Sequence, residues 1–339
     1  GIPDLRPSLE RAEIPGSSLE GAELAAFIPF LEARTRLRAY GSRVTGVAPG
    51  PGKRFSRLQA LPVLEDLLAR SLTPDGGLRD EASPRLKKLR QAIRDLRRQI
   101  VIQLEAFFAS AEADTLFQDR YVTLRRGRYV LPVRAEARPR VRGLVHDRSQ
   151  SGATLFVEPE SVVEVNNELT QAVREEEAES ARIFQALTDE VRTCLPELRH
   201  LIEEISQLDL ILARALLAER MEATEPEIDP GRSVVLCEAR HPLLLAQSWK
   251  EPSCPVVPVD LRLSAEAPLL VVTGPNAGGK TVALKCLGLS VLMAQAGLHL
   301  PVRAGSRIPV FSRLFAVVGD EQSVAENLST FSAFVKQVK

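Results

Sequence analysis

Between Val165 and Leu216 apolar side chains return at steps of three and four residues, through Val165, Leu169, Ile183, Leu187 and Val191 and then Leu198, Leu201, Ile205, Leu208, Leu212 and Leu216. Only a helix gathers positions at such steps on one face. The pattern breaks once, across Thr193 to Pro196, so the segment predicts two helices in a long hairpin. The first arm, about 30 residues at 1.5 Å each, extends about 45 Å, beyond the usual length of a globular helix. Heptad-like stripes of this kind serve either a coiled-coil partner or intramolecular lever helices, and the lever reading is preferred.

The rest of the chain organises around this pair. Ser17 and Glu20 have capping-box spacing before Leu24, Phe27, Ile28 and Leu31, which predicts a helix over 17–40. The Gly/Pro run from Gly41 to Gly52 reads as a loop and 58–68 as a short helix. Ser83-Pro84 supplies an N-cap and a first-turn proline for a helix through Leu86, Ile93, Ile100 and Leu104 to about Leu116. From Tyr121 to Glu158 short apolar runs alternate with Gly127, Pro139, Gly143 and Gly152, the texture of strands and hairpins. After Glu222–Pro226 and Asp229-Pro230-Gly231, a linker by composition, strand-like runs return at 234–236, 256–257 and 269–272. The expected class is multidomain α with α/β. Its parts are a helical core over 1–119, a β-rich segment over 120–160, the long lever or clamp hairpin over 161–222, and an α/β domain from 223 to 339.

Composition removes alternatives. With 45% hydrophobic residues and 26% charged, the chain is too apolar for a disordered polymer. Four separated cysteines form neither a disulfide framework nor a zinc pattern, and the four histidines share no ligand spacing. No uninterrupted run of 18 apolar residues exists and no signal peptide opens the chain, which points to a soluble cytoplasmic protein with no membrane partner. The first residue is not Met and Lys339 closes a segment that reads as helix, so both ends read as cut. Lys and Arg number 44, matching 44 Asp and Glu, so any field that attracts nucleic acid must be local. Nine arginines between Arg120 and Arg148 face only Glu136 and Asp147. A second basic run, Arg85, Lys87, Lys88, Arg90, Arg94, Arg97 and Arg98, faces only Asp95. These either meet phosphate or pair with acidic neighbours such as Glu175–Glu179 and solvent; the second reading is preferred.

Gly274-Pro275-Asn276-Ala277-Gly278-Gly279-Lys280-Thr281 fits G-x-x-x-x-G-K-[ST]. It leaves the apolar run 269–272, expected as a buried strand, and enters a helical pattern from Val282 to Ala296. Glycines let the backbone wrap so that successive N–H groups and a helix N-terminus face phosphate oxygens. Lys280 then offers an ammonium to the β and γ phosphates, and the Thr281 hydroxyl offers an oxygen to Mg²⁺. The implied ligands are ATP and Mg²⁺, with Gly274 to Thr281 as the binding residues. Hydrolysis also needs an acidic group at the end of a second apolar strand. The nearest candidates are Asp320 and Glu321, and the hydrolytic half is expected beyond Lys339, so this stretch should bind ATP and turn it over poorly.

The chain resembles the MutS family of DNA-repair ATPases. The residues that carry the likeness are Arg240-His241-Pro242-Leu243, the loop Thr273–Thr281, and Leu328-Ser329-Thr330-Phe331. The run Gly127–Glu158, above all Gly143–Pro159, and Gly319-Asp320-Glu321-Gln322-Ser323 are similar to the second bacterial branch rather than the mismatch-correcting one. The resemblance implies an ABC-type P-loop ATPase domain preceded by a helical core and lever helices that lead to a clamp, working as a homodimer. Ser329, with Thr330, would reach the γ-phosphate on the partner's loop, Asn276 would face the phosphates in cis, and Gln322 would sense the metal or the attacking water. Members of the branch continue into a nuclease domain, act on branched or structured DNA and suppress recombination. Some act on collided ribosomes, so a ribosome-associated ATPase working on rRNA stands as the alternative.

Two departures qualify the likeness. Where the mismatch branch stacks an aromatic ring on adenine, this chain has Val256 and Val257. Phe156-Val157-Glu158 spells a Phe-x-Glu wedge but lies in mid-chain before Pro159, where core packing is expected instead.

Overall fold

The computed structural model describes residues 1–339 except Thr45, 252–254, 276–278 and 317–339. It divides into two compact units, 1–206 and 207–339, and the division falls inside a helix.

The first unit begins with α1 (Arg6–Glu13), α2 (Gly21–Ala25), α3 (Phe27–Val44), α4 (Pro49–Ser56) and α5 (Pro62–Ser71). The capping expected at Ser17 falls three residues later, because the Ser17 hydroxyl instead closes the turn after α1 on Arg11 O at 2.6 Å. Glu23 accepts from the Glu20 N–H at 2.9 Å and starts α2. The expected loop over 41–52 is a correction: α3 runs on to Val44 and Pro49 opens a helix of its own. A proline at the first turn loses no hydrogen bond. Gly41 also leaves room for Phe55, since a Cβ there would stand 2.1 Å from Phe55 Cβ.

The helix predicted from Ser83 forms as α6 (Pro84–Phe108), with Ser83 Oγ accepting from Leu86 N at 2.9 Å, but it stops before a separate α7 (Ala113–Leu116). Four strands follow, β1 (Thr123–Arg125), β2 (Arg128–Arg134), β3 (Gly143–Arg148) and β4 (Thr154–Pro159), as an antiparallel sheet ordered β1-β2-β4-β3. Leu131 pairs with Val157 and Val133 with Leu155, and all four are buried. The Phe-x-Glu spelling lies in β4 with all three residues buried, as core packing requires.

The break expected across 193–196 falls at Cys194, between α8 (Glu160–Thr193) and α9 (Leu195–Met221). α8 lies along α6, and Val162, Val165 and Leu169 join Ile93, Ile100 and Leu104 over Leu131 and Val157 in one core. Charge is buried here only with partners. Glu158, fully enclosed, accepts from Asn166 Nδ2 at 2.8 Å, meets His146 Nε2, and has Arg128 Nη1 at 3.5 Å. Glu179 is 3% exposed and accepts from Ser83 Oγ at 2.7 Å and from Arg182 at 2.7 and 2.9 Å. No helix among the described residues is long and apolar enough to cross a membrane.

Within the second unit, β5 (Glu227–Asp229), β6 (Val234–Ala239), β7 (Val259–Leu263) and β8 (Arg307–Pro309) form a sheet ordered β5-β8-β6-β7, with α10 (Pro242–Ser248) and α11 (Lys280–Gln295) between strands in sequence. β5 and β8 are parallel; the other pairings are antiparallel. Val234, Leu236, Leu261 and Ile308 pack with Cys286 and Val291 of α11 in a second core. The strand expected over 269–272 is not formed. Among the described residues no strand lies beside it, and a strand meant for burial on both faces needs a neighbour to take its N–H and C=O groups. Its side chains are accordingly open, with Leu269 80% and Val271 71% exposed.

The hydrogen bonds from Arg182 and Ser83 hold the Glu179 carboxyl down at about 2. Because this lies below the unfolded value, the stability Glu179 confers is complete above the ordinary carboxylate range and is lost as pH falls toward about 2. Urea unfolding of Glu179→Gln should therefore show a shallower loss of stability across that acid window than the parent chain. Curves that run parallel over the window would contradict this role.

Candidate phosphate-binding site

The Gly274–Thr281 loop ends at the head of α11. Gly279 is the residue before the helix, with φ +78°, and Lys280 and Thr281 are its first two residues. The left-handed conformation costs an ordinary L-residue about 1–2 kcal/mol and costs glycine almost nothing, so the glycine at this motif position is required by backbone geometry alone. A Cβ at Gly279 would meet nothing within 4 Å, so contact is not the reason. The Lys280 ammonium, half-buried, folds back onto Gly274 O, and Thr281 is exposed. Gly274 has φ +150° and Gly274 and Pro275 are both exposed. Asn276, Ala277 and Gly278 lie outside the described residues, as do Gln322, Ser329, Thr330, Asp320 and Glu321.

Thr273, Gly279 and Lys280 open onto a cavity of about 570 Å³. It is lined as well by His241, Leu244, Gln247, Ser248 and Glu251 of the α10 region and by Pro255 to Val259. Val256 and Val257, singled out in the sequence as replacing an aromatic base platform, thus share one cavity with Lys280. The volume lies within the range of about 300–1,000 Å³ common to small-molecule sites. Its lining combines an ammonium, a helix N-terminus and the Thr273 hydroxyl with the aliphatic side chains of Val256, Val257 and Val259. A nucleoside triphosphate needs groups of both kinds, so the residues present fit one. Glu251 is the acidic residue among those that line the cavity.

His241, of the Arg240-His241-Pro242-Leu243 motif, is 7% exposed and caps α10, its Nδ1 accepting from Leu244 N at 3.4 Å. Burial and the nearby Lys285 push its pKa down. The ring is thereby kept in the neutral form that can accept at Nδ1. Cys286, in the second turn of α11, also lines the cavity, and burial pushes its thiol up. Sequence reasoning places His241 in turn packing and misses Gln247, Ser248 and Cys286; Cys286 follows the loop on α11, whereas no spacing relates Gln247 and Ser248 to the loop, and only the fold brings them to the same cavity.

The basic runs are largely paired. Arg85 meets Glu175 at 3.8 Å, Arg90 meets Asp80 at 2.9 Å and Glu176 at 3.0 Å, and Arg94 meets Asp80 at 3.4 Å. Arg125 meets Asp147 at 3.5 Å and lies over the Phe156 ring at 4.1 Å. Among the described residues Lys88, Arg97, Arg98, Arg126, Arg142 and Arg148 are exposed with no carboxylate beside them.

A family model described as MutS domain V matches residues 270–339, the stretch that holds the loop and α11. That stretch, about a fifth of the chain, is similar to MutS domain V. Along its whole length it is 38% identical to a protein named Endonuclease MutS2 from Agathobacter rectalis, and 39% identical to proteins of the same name from Pelotomaculum thermopropionicum and Thermomicrobium roseum. The chain is of the MutS2 type, and it spans 42%, 42% and 43% of the length of those relatives.

Two glycines flanking and within one helix should respond with opposite signs. Gly279→Ala should destabilise the second unit by about 1–2 kcal/mol through its positive φ. Gly288→Ala, within α11 and with open space around its Cβ, should stabilise by about 0.5–1 kcal/mol. Urea titrations of the two variants would decide, and shifts of the same sign would count against this reading of the loop.

Proposed function

We propose that this chain is the nucleotide-binding and lever-bearing part of a MutS2-type protein that grips DNA as an ATP-gated dimeric clamp. The observation that carries the nucleotide reading is the shared cavity. Lys280 and Gly279 line it together with Val256 and Val257. In this reading the loop N–H groups and the Lys280 ammonium hold the β and γ phosphates, and Thr281 Oγ1 ligates Mg²⁺. The metal supplies neutralisation of charge between those phosphates when bound. Val256 and Val257 hold the base by aliphatic contact, which favours weaker base stacking than an aromatic platform would.

Glu251 is the one acidic residue in the cavity lining among the described residues, and this reading gives it no part in orienting water at the γ-phosphate. Binding with slow turnover follows. Ser329 of a partner copy and Gln322 complete the site in this proposal. Nuclease chemistry, named for the relatives, belongs to the longer protein, and suppression of recombination through branched DNA is its proposed role in the cytoplasm. The unpaired basic side chains Arg126, Arg142 and Arg148, beside the β-sheet of the first unit, support a backbone-reading contact with nucleic acid.

Lys280→Ala should weaken ATP binding at least about tenfold in calorimetry, the scale of one charge-assisted hydrogen bond. Undiminished affinity would end the nucleotide reading. Binding to a four-way DNA junction should fall with salt, and replacing Arg126, Arg142 and Arg148 together by Gln should reduce the log-log slope by about 0.9 for each phosphate these side chains neutralise. Co-sedimentation with ribosomes and indifference to the junction would shift the proposal to rRNA.

A further inference from the structure

We infer that Arg220, on the last turn of α9 and outside the nucleotide cavity, is a positioning residue for nucleotide binding, acting through its stack on Trp249. This rests on the nucleotide reading proposed above.

The argument begins with α10. Seven residues form no stable helix alone, because nucleation costs more than so few hydrogen bonds return. The place of α10 is therefore set by what holds it. Pro242 and Leu245 are buried beneath it. Each end of the segment is also fastened to the same turn of α9. Before it, the Arg240 guanidinium donates to Met221 O at 3.0 Å, to Glu222 O at 3.3 Å and to the Glu222 carboxylate at 2.9 Å. After it, Trp249 caps α10 at its C-terminus and receives the Arg220 guanidinium over its ring, 4.2 Å from the centroid. Three consecutive residues of the chain, Arg220, Met221 and Glu222, thus hold both ends of one short helix.

That helix is a wall of the cavity. His241, Leu244, Gln247 and Ser248 line it together with Gly279 and Lys280. Glu222 adopts φ +50°, an uncommon conformation for a residue with a Cβ, and so marks the exit of α9 as a fixed corner rather than a frayed end. Arg240 hydrogen-bonds backbone oxygens and is a structural anchor. Arg220 is different. It is exposed, and its stack on Trp249 fixes the end of α10 nearest Gln247, Ser248 and Glu251. Removing it leaves the folded unit in place and loosens one wall. A guanidinium over an indole at an exposed site is worth a few-fold in an equilibrium constant.

The chain provides its own probe, since Trp249 is the one tryptophan in its sequence. The experiment titrates the full 339-residue chain with ATP and Mg²⁺, read by calorimetry and by Trp249 emission, for the parent and for Arg220→Met, Arg220→Lys, Trp249→Leu and the Met/Leu double variant. The expected result is a change in parent emission that saturates with the calorimetric signal. Arg220→Met should bind ATP about two- to fivefold more weakly, Arg220→Lys should recover most of that, and the double variant should lose no more than either single variant. Parental affinity in both Arg220→Met and Trp249→Leu overturns the inference and leaves the nucleotide reading standing. Additive losses also overturn it. If the parent takes up no ATP at all, the nucleotide reading fails and the inference fails with it; Lys280→Ala, with parental emission before nucleotide and weakened affinity after, marks the opposite case.

Discussion

Where α11 begins governs the second unit. Cys286, Ser290 and Val291 press one side of that helix into the core, which fixes its axis against β6, β7 and β8. Gly279 then has to turn the chain through a left-handed residue directly before Lys280. Those two requirements place the head of the helix and Lys280 at one cavity. The proposed phosphate site is thus tied to how a core helix is started, and Val256 and Val257 line the same cavity just before β7 enters the sheet.

The first unit obeys a different constraint, the cost of enclosing charge. An isolated buried carboxylate is expensive, and each one here is surrounded. Glu158 brings β2, β3, β4 and α8 together through Arg128, His146 and Asn166, and Asn166 also bonds the backbone of Tyr129 at 3.2 Å in both directions. Glu179 and Ser83 join α8 to the start of α6, and Glu204 takes Arg54 at 2.9 Å and Arg57 at 3.2 Å. Arg128, Arg182, Arg54 and Arg57 are the arginines that answer these carboxylates. Within the two basic runs, Lys88, Arg97, Arg98, Arg126, Arg142 and Arg148 are the exposed side chains without a carboxylate among the described residues.

Part of this architecture is legible in the residue order. Steps of three and four residues mark α6 and α8, and Ser83-Pro84 marks the start of α6 because capping is local. The loop signature places Gly279 and Lys280 at a helix head for the same reason. The proline-rich start of α4 reads wrongly as a loop, since Gly41 and Phe55 have to approach closely before that helix has a place to pack. The apolar run at 269–272 reads as a strand from its composition, yet a strand also needs partners, and periodicity carries no information about them.

The amino-acid order by itself determined the long helices, their caps, the single break at Cys194 and the conformation demanded at Gly279, because each depends on residues within one or two turns. Only the tertiary structure decided that Val256 shares a cavity with Lys280, that Arg90 answers Asp80 and Glu176, and that Arg220 stacks on Trp249. Those relations join residues 10 to 86 positions apart, and burial of apolar surface, which has no direction along the chain, chose among the many pairings that local propensity left equal.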